Sequence, residues 1–183
     1  MPTAPRVMPL PREDWDAEVT ELLGATQMGG RTLNIFQTLA HHPKLLKRWL
    51  VFGNHVLAKS TIGARERELL ILRTGWNCRA EYEWGQHVVI GKMAGLTDDE
   101  IRRITAGSDA PGWTPFEAAL LRAADELHRD SRIGDATWAA LAARYGVQEL
   151  IDVVFTVGQY TLVSMALNSL GVALDEGIEG FPE

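Results

Sequence analysis

From Val153 to Leu174 the chain reads VVFTVGQYTLVSMALNSLGVAL, a run without a single Asp, Glu, Lys or Arg. That is about the ~20 residues a helix needs to cross a bilayer. Gln159, Tyr160, Ser164 and Asn168 interrupt it, small residues recur, and no basic cluster flanks it. A spanning segment takes its orientation from flanking Lys and Arg. The run therefore reads as a helix buried in a core or against another subunit, and no membrane partner is expected. Whatever the fold, it must put apolar neighbours on most sides of one long helix.

The rest of the chain supplies helices to do so. Residues 1–12, proline-rich and aperiodic, read as an extended arm, and 13–183 as one domain. Helices are expected over 14–23 and 33–40. Another opens at Pro43, with apolar residues at 45, 46, 49, 50, 52 and 56. The stretches 63–76 and 80–95 follow, separated by a few residues around Asn77 and Cys78, which implies an antiparallel pair. Thr97 with Glu100, and Thr114 with Glu117, have capping-box spacing and start two more helices. GDATWAALAARYG, ending at Gly146, and a final helix over about 147–173 complete the set. Strand-like alternation is almost absent and no repeat is found. The expected fold class is all-α, a single-domain bundle of roughly seven to nine helices.

A net charge of -6, a pI near 5.4 and scattered Lys and Arg exclude a nucleic-acid partner from the expected functions. Cys78 is the only cysteine, and the first residues lack the basic start and apolar run of a secretory signal. A cytoplasmic location is the expectation. The histidines form no ligand-spaced cluster, and adjacent His41 and His42 point apart on a helix, so no metal is expected.

Chemistry concentrates in NCRAEYEWGQH, residues 77 to 87. On a helix through this stretch, Ala80, Glu83, Trp84, His87 and Gly91 share one stripe, with Glu83 one turn from His87. If the two helices around residue 78 pair antiparallel, Glu68 also approaches His87. A carboxylate beside an imidazole raises its pKa or fixes its tautomer, making a proton donor or acceptor near neutral pH. The plain alternatives are an exposed i, i+4 pair worth a few tenths of a kcal/mol, and a solvated first turn formed by Arg65, Glu66, Arg67 and Glu68.

RERELLILRTGWNCRAEYEWGQHVVIGKMAGLTDDEI resembles the carboxymuconolactone decarboxylase and alkylhydroperoxidase-D superfamily. So does LLRAADELHRDSRIGDATWAALAARYGVQELIDVVFTVGQYTLVSMALNSLGV, and the likeness covers about residues 34 to 173. The family's motif is a Glu, then two positions three apart, then a His four residues beyond the second. In the peroxidase branch the two positions are cysteines; here they fall on Ala80 and Glu83, and the Glu on Glu68. Cys78 is out of place and has no partner thiol, so a reversible dithiol is missing. The resemblance therefore implies the decarboxylase-like branch. Its reaction, on 4-carboxymuconolactone or a relative in aromatic-compound degradation, needs no cofactor.

By that resemblance His87 is the candidate acid, Glu68 the group that sets its protonation and Glu83 a second carboxylate. Tyr82 and Trp84 are candidate pocket walls, Arg73 or His55 candidate carboxylate clamps, and Tyr160, with Gln159 and Asn168, faces either pocket or interface. Each has a plain reading as a packing or ion-pair residue. A carboxylate or lactone substrate and a homo-oligomer, trimer or hexamer with a dimer as the smaller option, are further expectations. The competing readings are a peroxidase using Cys78 alone, a proton-transfer isomerase or hydrolase, and a non-catalytic helical oligomer.

Overall fold

The computed structural model describes residues 5–27 and 30–182. Among them there is no β-strand: a 3-10 turn, Arg12–Asp14, is followed by nine α-helices. They are α1 Ala17–Gly24, α2 Asn34–Leu39, α3 Pro43–Ala58, α4 Ala64–Asn77, α5 Glu81–Met93, α6 Asp98–Ala106, α7 Pro115–Asp130, α8 Asp135–Ala142 and α9 Val147–Leu170. The start of the expected arm, residues 1–4, lies outside the described residues. From residue 5 the chain is largely extended, held where Arg6 and Val7 donate their backbone N–H to Leu170 O.

Helix α4 is the hub. Leu69, Leu70, Ile71 and Leu72 are consecutive and all fully buried, which requires neighbours around the whole circumference. α5, α6, α7 and α9 supply them. α9 also packs on α3, α5, α7 and α8, so the long uncharged run does serve as a core helix along one side. It ends at Leu170, because Gly171 takes the left-handed conformation (φ 67°) that closes a helix, rather than continuing to residue 173. α1 starts at Ala17, because the Asp16 carboxylate caps Val19 N–H, 2.8 Å away. Both expected capping boxes are formed.

Beyond α9 the chain returns across the outside of α5. Phe181 packs edge-on to Trp76 and inclined to Trp84, with centroids 5.1 and 5.8 Å away. Gly85 makes this approach possible: a Cβ there would lie 2.4 Å from Glu179 O and 2.6 Å from Ile178 Cγ2. Gly85→Ala is therefore expected to cost about 1–3 kcal/mol by overpacking and to release residues 176–182. Chemical denaturation would read the first and amide hydrogen exchange the second.

Candidate active site

The turn between α4 and α5 is short because Arg79 adopts a left-handed conformation (φ 52°), with Ala80 N–H donating to Gly75 O at 2.9 Å. α5 consequently folds straight back along α4. Glu68 then meets His87: Glu68 Oε2 is 2.7 Å from His87 Nδ1. One helical turn before His87, Glu83 Oε1 lies 3.0 Å from Nε2, at ion-pair distance but without hydrogen-bond alignment. Relative exposures of 0% for Glu68, 4% for Glu83 and 6% for His87 rule out both solvated readings.

Burial by itself lowers the imidazole's proton affinity, but the two carboxyl groups outweigh it and push His87 up to about 10. The group rests as an imidazolium at neutral pH, a proton donor. A folded value above the ordinary 6.5 stabilises the fold fully below that pH and loses the contribution as pH rises through about 10. The thermal midpoint of the wild type should therefore fall more steeply between about pH 7 and 10 than that of His87→Gln. Parallel pH profiles of the two proteins by calorimetry would remove the assignment.

Of this triad, Glu83 and His87 line a cavity of about 110 Å³, and Glu68 reaches it only through His87. α2 and the residue before it contribute Leu33, Ile35 and Phe36, α3 contributes Trp49, Leu50, Gly53, Asn54 and Leu57, and α5 and α9 close the remaining sides. Tyr160 from α9 stands edge-on to His87, ring centroids 4.9 Å apart. Burial, with Glu83 and Glu68 nearby, holds its phenol well above the usual value. Tyr82 also lines the cavity, but its hydroxyl donates to Asp175 and accepts from Ile35 N–H, so only its ring is offered to a ligand.

The other expected pocket residues lie elsewhere. Arg73 is taken by Asp125 Oδ1 (2.5 Å) and by the carbonyls of Ile104 (2.8 Å) and Thr105 (3.0 Å), tying α4 to α6 and α7. His55 is exposed on α3 beside Asp152. Trp84 faces away from the cavity into the core with Trp76 and Phe181. Asn168 donates to Cys78 O at 2.9 Å. Cys78 does not line the cavity; its sulfur is 3.7 Å from His128 Nδ1, and burial raises its thiol pKa.

Sequence reasoning missed three contributors. Arg67, which the plain alternative put in a solvated turn, has a mostly buried side chain, with Nε 3.5 Å from Glu68 Oε1. Asp175 accepts from Tyr82 Oη, from Gln86 Nε2 at 2.8 Å and from Asn34 N–H at 2.9 Å, fixing two cavity residues from beyond the last helix. Trp49 lines the cavity with a buried Nε1 that has no partner. Its place on the apolar stripe of α3 was the only signal in the sequence. Among the described residues no group of His, Cys, Asp and Glu is arranged to hold a metal ion.

Residues 43–126, which span α3 to most of α7 and hold the whole triad, match the sequence pattern of the Carboxymuconolactone decarboxylase family. Over that segment, a little under half of the chain, the protein is similar to this family. No curated protein sequence matches it. An uncharacterized peroxidase-related protein from Silicibacter sp. TM1040 superposes with a TM-score of 0.83 at 14% identity, covering 96% of this chain and 94% of that one. An AhpD-core, peroxidase-related protein from Ralstonia eutropha JMP134 gives 0.80 at 18% identity, covering 93% of both chains. A cysteine variant of the debrominase Bmp8, in complex with 2,3,4-tribromopyrrole, gives 0.78 at 15% identity, over 96% and 94% of the two chains. At such identities these likenesses establish a shared helical fold.

Proposed function

We propose that this protein is a cofactor-free acid/base enzyme in which His87 is the proton donor and Glu68 and Glu83 set its charge. The observation that carries this reading is the imidazole 2.7 Å from one buried carboxyl group and 3.0 Å from another, on the wall of a cavity. A proton delivered there to a carbanion or enolate completes either of two reactions. In a carboxy-lyase reaction on a carboxylated lactone, carbon dioxide leaves, the electron pair passes to the conjugated carbonyl, and His87 protonates carbon. In an isomerisation a carboxylate removes a proton from one carbon and His87 returns one to another. The family match favours the first, and the cavity lining, which lacks Lys and Arg, favours the second. Peroxidase chemistry has less support, since Cys78 lies off the cavity with a raised thiol.

Both reactions can be followed in D2O, with carbon dioxide trapped from carboxymuconolactone and deuterium uptake measured on cyclohexanone as an enolisable ring. Turnover of either that falls about a hundredfold in His87→Ala is the expected result. A folded wild type inactive on both would remove the acid/base reading.

The reading extends to a homo-oligomer in a cytoplasmic setting. On α9, Val147, Ile151, Phe155, Leu162 and Met165 are exposed along one face, and Phe52 of α3 stands edge-on to Phe155. A continuous apolar stripe of this kind is what a second subunit covers. Phe155→Asp should convert an assembled wild type to monomer in sedimentation velocity, whereas a monomeric wild type would refute the assembly.

A further inference from the structure

The cavity's lining carries information about its ligand that the triad alone does not. No Lys or Arg is among the lining residues, and the one cation there, His87, already faces two carboxyl groups. An anionic ligand would be buried without a cation of its own, which costs several kcal/mol. Apolar side chains make up half of the wall, from Leu33, Ile35, Phe36, Leu50, Leu57, Ile90 and Val163 together with the Trp49 ring. A volume of about 110 Å³ approaches the ~150 Å³ at which an engineered apolar cavity holds benzene. The space suits a single ring.

Apart from Glu83 Oε1, which faces His87, two polar atoms of this wall are buried and unpaired: the Trp49 indole N–H, a donor, and Gln159 Oε1, an acceptor on a side chain only 5% exposed. Orphaned groups of this kind usually find a partner. They are neighbours across Gly53, where a Cβ would lie 3.6 Å from Gln159 Nε2 and 3.7 Å from the Trp49 ring. Neither belongs to the triad, and neither has a role in proton transfer. A hydroxyl, or an amide edge, carries both the acceptor and the donor that these two atoms lack.

We infer that the cavity binds a small uncharged ring bearing a hydroxyl or amide edge, which accepts from Trp49 Nε1 and donates to Gln159 Oε1. This rests on the acid/base reading for its reaction but not for its binding. It favours the isomerisation over the carboxy-lyase reaction, because a carboxylated lactone would enter as an anion. Trp49 and Gln159 become the residues that select the ligand, and His87 the group that acts on it.

Phenol and benzoate make a matched pair of probes, the same ring with and without charge. Titration of each into the full chain, followed by the indole N–H resonance of Trp49 (identified with Trp49→Phe), should show phenol shifting that resonance and benzoate leaving it in place. Gln159→Leu keeps the side-chain volume and should weaken phenol about tenfold, the scale of a buried hydrogen bond left unmade. The thermal midpoint of Gln159→Leu beside that of the wild type controls for folding. Benzoate binding as tightly as phenol, no shift with either probe, or unchanged phenol affinity in Gln159→Leu would each overturn the inference. Phenol binding by a wild type that transfers no proton to carbon would uphold it while removing the acid/base reading.

Discussion

The fold is organised around the burial of one imidazole between two carboxyl groups. Each of the three, alone, would be too costly to withdraw from water, and together they persist only if the contacts remain short and solvent stays out. That requirement explains why α4 is enclosed on every side and why α5 carries both Glu83 and His87 on its buried face. It also explains the tightness of the turn at Arg79, since a longer connection would let α5 slide along α4 and separate Glu68 from His87. The strain of a left-handed non-glycine residue, ~1–2 kcal/mol, is small beside the penalty of an unpaired buried charge.

Much of this was legible in the sequence because it depends on local spacing. The α4–α5 hairpin, the stripe through Ala80, Glu83, Trp84, His87 and Gly91, and both capping boxes follow from residues three or four apart. Cavity walls do not have that property. Asp175 reaches Asn34, Tyr82 and Gln86 through pairings that only tertiary structure creates, and a carboxylate just past an apolar helix carries no periodic signal. Arg73 shows the converse. Its guanidinium was a reasonable clamp by chemistry, but its position on α4 turns it toward Asp125 and the end of α6. Trp84 shares the stripe with His87, yet neighbouring positions on a helix diverge enough for one side chain to enter the core while the other lines the cavity.

The sequence resemblance gives these placements a chemical context. The positions at which the peroxidase branch resembled by this sequence carries its two cysteines are here Ala80, fully buried, and Glu83, 3.0 Å from the histidine. A buried carboxyl group stands where the resemblance would put sulfur, within ion-pair reach of the histidine.

The separations along the chain give the two halves of the site different kinetic characters. Glu68 and His87 are 19 residues apart, whereas Asn34 and Asp175 are 141 apart. By loop-closure entropy the longer span costs about 2 kcal/mol more to join. The triad therefore belongs to an early, local unit of the folding chain, and the cavity wall closed by Asp175 to a late and more readily opened one. Opening of that wall would leave the pairing of Glu68 with His87 intact.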